Sequence, residues 1–237
     1  AHKKEGIIKS LTGVWKEEHV FELEQSYSIY QFYHAKLKEC DAKIEEHLRE
    51  KSGVDTFVEP QKKEKSNKNN LNFNGKEMLY ELTGTDLAEI FGITETNAIE
   101  IISEVGLDMS KWPTVKHFTS WLNLAPNNKI SGGKVLSSRI PKKKNHAGQI
   151  FRMAAFAIQR SKNWLAMFYN RIKAKNGAPK AIVATARKIA AIFYKMIKER
   201  VKFNPIPIEK YMDGFKENQI KKLKRQAKNL GLQIVEM

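Results

Sequence analysis

Residues 17 to about 50 contain neither glycine nor proline. A stretch this long with no breaker and many strong helix formers is constrained to one extended helix, roughly 50 Å at 1.5 Å per residue. Leu23, Tyr30, Leu37 and Ile44 recur every seven residues, and Val20, Tyr27 and Leu48 fall on the companion seam. His34 and Asp41 interrupt that seam. The pattern reads as about four heptads of coiled coil. It equally suits a helix laid along the side of a globular domain. In the first case the helix is an arm that pairs chains into a homo-oligomer.

Ser52 to Lys76 ends the pattern with Gly53, Pro60, a lysine-rich run and Ser66-Asn67-Lys68-Asn69-Asn70. This composition predicts a flexible linker. Beyond it the chain reads as successive helices at 77–83, 86–91, 95–105, 114–123, 146–175, 179–200 and 207–230. Gly106, Gly177 and Gly231 stand where helices should stop, and Pro179 suits a first helical turn. Strand character is confined to 129–140 and 232–236. The expected fold is all-α: a long coiled-coil helix plus a compact helical domain with a helix–hairpin–helix-like element, and a short irregular or β-hairpin segment around 129–140. The expected domains are a dimerisation helix at 1–51, a linker at 52–76 and a helical domain at 77–237.

Charge narrows the function. From Met109 to Lys198 there is no Asp or Glu, while nineteen of these ninety residues are Lys or Arg. The whole chain carries +16, so its basicity resides in this one stretch. Such a surface attracts polyanions and has no carboxylate with which to hold a hard divalent metal. The cations are spread over loops and several helices, not along one amphipathic helix, which favours nucleic acid over an anionic membrane. No run of eighteen apolar residues is present, so no transmembrane helix is expected. The single cysteine, Cys40, excludes an internal disulfide and a cysteine zinc site, and a reducing cytoplasm is the expected setting. The first residues, Ala-His-Lys-Lys-Glu, lack both a signal-peptide core and an initiator methionine. They suggest a piece of a longer protein.

Three segments offer chemistry. Leu87 to Ile102 places two short helices around a turn at Gly92. Such a turn presents backbone N–H groups beside a helix N-terminus, where a phosphate can sit. The second glycine of the usual helix–hairpin–helix pattern is Thr94 here, and Glu95 would face the phosphate. An αα-hairpin used only for packing fits the same residues. The second segment is Asn127 to Arg139 with Pro141-Lys142-Lys143-Lys144-Asn145-His146 behind it. Gly132 and Gly133 allow a sharp turn and a close backbone approach to a ligand. Lys129, Lys134 and Arg139 surround the Ser131 hydroxyl. A serine among fixed cations can ligate a phosphate or attack a phosphodiester. A plain basic hairpin turn has the same local sequence. The spacing is not that of a Walker A loop. The third segment, Ala147 to Lys175, carries a core stripe of Phe151, Ala154, Ala155, Ile158, Leu165, Phe168 and Ile172. Arg152, Arg160, Lys162, Arg171, Lys173 and Lys175 lie mostly off it, as on an ordinary solvated face or a phosphate-tracking one; solvated faces usually mix signs, so the lack of acids favours the second.

In order, these segments resemble one family. The run Trp15-Lys16-Glu17-Glu18-His19-Val20-Phe21-Glu22-Leu23 looks like the start of its coiled-coil insert. Phe91-Gly92-Ile93, Glu104-Val105-Gly106-Leu107-Asp108-Met109-Ser110, Phe118-Thr119-Ser120-Trp121-Leu122, Asn123-Leu124-Ala125-Pro126, Ile130 to Ser137 and Gly177-Ala178-Pro179-Lys180-Ala181 look like its C-terminal domain. The family is the DEDD-type insertion-sequence transposases, recombinases that use a bridge RNA, and the resemblance runs from about Gly13 to Glu236. It implies that Ser131 attacks DNA and forms a phosphoserine link. It also implies an N-terminal RuvC-like domain with four acidic ligands for Mg²⁺, which no segment of this chain resembles. The chain is therefore expected to hold no cofactor itself and to cut nothing alone. Its expected partners are DNA and a guide RNA, held by Gly92, Lys129, Gly132, Gly133, Lys134, Arg139, Lys142, Lys143, Lys144 and Arg152. The alternative is a non-catalytic module that binds DNA or RNA and dimerises. No membrane partner is expected.

Overall fold

A computed structural model describes residues 2–13, 15–52, 71, 73–140 and 145–232 of the chain. It divides into two compact units, Ala1–Asn74 and Gly75–Met237. Most of the expected 52–76 linker, Lys142 to Lys144, and the strand expected at 232–236 (apart from its first residue) fall outside the described residues.

The first unit holds two helices, α1 (His2–Ser10) and α2 (Glu17–Ser52). The helix expected over 17 to about 50 is α2, and a separate short helix, α1, precedes it within the region 1–51. Helix α2 is continuous through every heptad position, and Val20, Leu23, Tyr27, Tyr30 and Leu37 are exposed. Its surface carries ion pairs one turn apart, Lys36 with Glu39 and Lys43 with Glu46, and Arg49 pairs with Glu45. Such pairs support a long helix, which is exposed on all sides from Glu17 to Cys40.

The second unit contains α3 (Gly75–Thr83), α4 (Glu95–Val105), α5 (Val115–Trp121), β1 (Lys129–Ser131), β2 (Lys134–Ser137), α6 (His146–Ala157), α7 (Trp164–Asn176), α8 (Ala178–Glu199) and α9 (Ile208–Asn229). The fold is mostly helical, with one two-stranded sheet among the described residues. Single 3₁₀ turns occur at Leu87–Glu89, Met109–Lys111 and Ile158–Arg160. The helix expected at 86–91 is only the first of these. Asp86 caps it by accepting from the Ala88 N–H at 3.0 Å, and Gly92 turns the chain before a second turn can form.

Helix α8 is the central wall. Ala181, Thr185, Ala186, Ile189, Ala190, Phe193, Tyr194, Met196 and Ile197 are buried at three- and four-residue spacing. This stripe packs on α5, α6 and α7. Aromatic edges join the layers: Phe151 lies 5.4 Å from Phe193 and Phe118 lies 5.5 Å from Tyr194, centroid to centroid. The Tyr194 hydroxyl donates to the Trp112 carbonyl at 2.6 Å and accepts from Lys198 Nζ at 2.8 Å.

The single helix expected at 146–175 is two. Ser161 ends the first with an N–H bond to the Ile158 carbonyl, and Asn163 starts the second by accepting from the Ala166 N–H at 2.9 Å. Serine and asparagine side chains compete with the helix for backbone partners, so Ser161-Lys162-Asn163 breaks the helix although no Gly or Pro is there. The core stripe survives the break: Phe151, Ala154, Ala155, Ile158 and Leu165 are all buried, and Phe168 and Ile172 are half-buried.

Candidate nucleic-acid interface

The hairpin is built from its turn outward. Gly132 and Gly133 have φ of +54° and +74°, and Ser131 pairs with Lys134 across them. A two-residue turn with positive φ at both positions matches the twist of the flanking strands, and Gly-Gly reaches it at no steric cost. No atom lies within 4 Å of where a Cβ would sit on either glycine, so the turn needs them for conformation alone. Ile130 pairs with Val135 and Lys129 with Ser137, leaving Leu136 as a bulge. At the base, the Asn127 N–H donates to the Arg139 carbonyl at 3.1 Å, and the Arg139 N–H donates to Ser137 Oγ at 3.4 Å.

Register then sorts the side chains. Lys129, Ser131 and Lys134 share one face, and Ile130 and Val135 share the other. Both faces meet solvent: Ser131 is exposed, and so are Ile130, Val135 and Leu136. Among the described residues no hydrogen-bond partner engages the Ser131 hydroxyl, and no carboxylate pairs with Lys129 or Lys134. The structure thus brings together four adjacent elements of the expected site: the serine, two lysines and the glycine turn. Arg139 sits at the hairpin root. Lys142, Lys143 and Lys144 lie outside the described residues.

Gly92 and Arg152 sit elsewhere, and packing accounts for both. Gly92 has φ +85°, and a Cβ there would stand 2.7 Å from both the Ala154 carbonyl oxygen and Ile158 Cγ2. The close approach this glycine permits is to α6. Thr94 caps α4 by accepting from the Asn97 N–H at 3.2 Å, so its hydroxyl takes up one of the free N–H groups of the helix start. Glu95 adds an acid in that first turn. Arg152, on α6, donates from a guanidinium nitrogen to the Asn123 carbonyl at 2.8 Å. Burial pushes its pKa below the usual arginine value. Asn123 has φ +55° and ends α5, and the chain runs from there to β1. Arg152 therefore fixes the root from which the hairpin projects. Gly148 tightens the same junction, since a Cβ there would lie 2.1 Å from the Leu122 carbonyl oxygen.

The basic face holds a meeting that the sequence did not announce. Arg171 of α7 lies 5.3 Å over the Phe168 ring, and Lys188 of α8 lies 4.8 Å over the same ring. Arg171 belonged to the expected cationic face of α7. Its neighbour comes from a different helix, which no spacing within one helix reveals. Among the described residues no three His, Cys, Asp or Glu side chains cluster, so none fits a divalent metal site. No helix among them is long and apolar enough to cross a membrane.

Residues 84–170 match a family model described as the Transposase IS116/IS110/IS902 family. The matched stretch covers somewhat over a third of the chain and contains the Gly92 turn, the hairpin with Ser131, and α6. This similarity supports an insertion-sequence transposase and a recombination-related function. No curated protein matches the chain.

Proposed function

We propose that this chain is the nucleophile-bearing, nucleic-acid-holding part of an insertion-sequence recombinase, and that Ser131 is the nucleophile. One observation carries the reading. An exposed serine with no hydrogen-bond partner among the described residues stands beside a two-glycine turn, on the same hairpin face as Lys129 and Lys134, inside the stretch similar to transposases. In the reaction, Ser131 Oγ forms a bond to phosphorus as the bond from phosphorus to a deoxyribose oxygen breaks. The Oγ proton goes to a base and the leaving oxygen takes one up. One phosphodiester replaces another, so the link conserves the energy needed to rejoin strands. Lys129 and Lys134 offset the charge that builds on the phosphoryl oxygens. Arg139 and Lys142 to Lys144 hold flanking backbone of DNA or of a guide RNA.

A serine hydroxyl is a weak nucleophile without a base. The acid-free stretch supplies no carboxylate base, so in this proposal the base, and any Mg²⁺ with its carboxylate ligands, belongs to a separate RuvC-like domain. Two copies meet through α2, whose heptad residues Val20, Leu23, Tyr27, Tyr30, Leu37 and Ile44 stand exposed. The test uses the enzyme with that domain present, incubated with its element ends. Denaturing gels should show a covalent protein–DNA adduct that Ser131→Ala abolishes while binding persists. An adduct that survives Ser131→Ala removes the role given to Ser131. The chain alone should bind nucleic acid and leave it uncut. Cutting by the chain alone that Ser131→Ala removes would refute the need for an outside base.

A further inference from the structure

The meeting of Arg171 and Lys188 extends into a cluster spanning three helices. From α7 come Trp164, Phe168 and Arg171, from α8 comes Lys188, and from α9 come Tyr211 and Phe215. Arg171 lies 5.6 Å from the Tyr211 ring centre and 4.7 Å from that of Phe215, besides its contact with Phe168. Lys188 Nζ lies 5.6 Å from the Trp164 ring centre, and the Trp164 and Tyr211 rings are 5.9 Å apart. The rings attract both cations. They do not neutralise them.

Three features make this an unusual place for two positive charges. The first is that both cations are half-buried and no described carboxylate pairs with either. Elsewhere the chain supplies such partners: exposed Lys36 and Lys43 on α2 each hold a glutamate. The second is that the two cations oppose each other. Burial lowers the Lys188 pKa, and the nearby Arg171 charge lowers it further. The third is an unmet demand for acceptors. Trp164 is only 6 % exposed, and its indole N–H has no hydrogen-bond partner among the described residues; the buried Tyr211 hydroxyl has none there either. An indole N–H can only donate. Two cations with no described carboxylate paired to them, and two polar groups with no described partner, lack one thing, an anion with several acceptor oxygens.

We propose that the Trp164–Phe168–Arg171–Lys188–Tyr211–Phe215 cluster is a binding site for a backbone phosphate of a nucleic-acid strand, separate from the Ser131 hairpin. Arg171 and Lys188 contribute charge, and the rings hold both side chains in place before the strand arrives. This deepens the nucleic-acid reading above and rests on it for the kind of ligand. It does not depend on Ser131 chemistry.

The test measures binding of the whole chain to a single-stranded DNA, a single-stranded RNA and a duplex DNA oligonucleotide over a range of salt. Each phosphate contact contributes a slope of about −0.7 on a single strand, or about −0.9 on duplex, to log affinity against log salt. Lys188→Gln should flatten the slope by about that amount on the strand the site prefers, and Lys188→Arg should keep it. The three oligonucleotides tell which strand that is. A slope unchanged in Lys188→Gln for all three, with wild-type binding intact, overturns the site and leaves the recombinase reading standing. No binding by wild-type chain overturns both. Photo-cross-linking of wild-type chain to iodouracil-substituted strands gives a second readout that needs no folded variant. Adducts are expected on peptides carrying Phe168, Tyr211 or Phe215. Adducts confined to other peptides overturn the proposal.

Discussion

Replacing Gly148 by alanine tests whether α6 is held against the end of α5 as tightly as the structure describes. Gly148 is helical, so on propensity alone alanine should stabilise the chain by about 1 kcal/mol. The structure predicts the opposite sign. The new Cβ would lie 2.1 Å from the Leu122 carbonyl oxygen and 3.2 Å from Asn145 Oδ1. The first contact is with backbone and cannot be relieved by turning a side chain. Helices α5 and α6 must move apart, which as overpacking costs about 1–3 kcal/mol. Asn145 Oδ1 caps α6 by accepting from the Gly148 N–H at 2.7 Å, and losing that cap costs about 1 kcal/mol. The cap loss and the propensity gain roughly cancel, which leaves a net destabilisation of about 1–3 kcal/mol. In a domain of this size each kcal/mol shifts the melting temperature by about 2–4 °C. The assay is thermal unfolding by circular dichroism, with urea titration to check the free energy. A Gly148→Ala chain as stable as wild type, or more stable, would refute the close contact and the argument built on it.

Two further substitutions separate the hairpin root from the interior. Arg152→Gln should cost about 1.5–3 kcal/mol, as expected for a hydrogen bond from a charged group, and urea unfolding measures it. If Arg152 instead only tracks phosphate, the substitution will leave stability alone and flatten the salt dependence of binding. Asn163→Ala removes the cap that starts α7 and should cost about 1 kcal/mol, whereas Asn163→Asp, which keeps the accepting oxygen, should cost little. Equal losses in both variants would show that the cap bond is not what holds the break.

The helices were legible where apolar periodicity and a stop signal agreed. The expected span at 95–105 is α4 itself, closed by Gly106, and α8 begins beside Pro179 as expected. The break at Ser161 to Asn163 was also written in the sequence, as an asparagine just before Trp164-Leu165, but the continuous stripe around it read as one helix. Gly92 shows a different limit. A glycine in a turn announces a close approach without naming what approaches, and here the neighbour is Ala154, sixty-two positions away. The hairpin was visible because its determinants are local: a Gly-Gly pair between short β-prone runs. The company of Lys188 was not, because it depends on how α8 lies across α7.

The hairpin has a consequence for how its serine is held. No residue from Pro126 to Arg139 is buried, and among the described residues its two strands form a sheet with each other alone. A lone two-stranded ribbon is marginally stable in water. Its amides should therefore exchange with solvent through local opening at far lower free energy than those of α8, which open only with the whole domain. The helical domain can be very stable without lending that stability to Ser131. In the reaction proposed above, order at the serine would have to come from outside, from whatever the ribbon lies against. Cutting would then be confined to the assembled complex, because the free chain would not hold Ser131 in a fixed position.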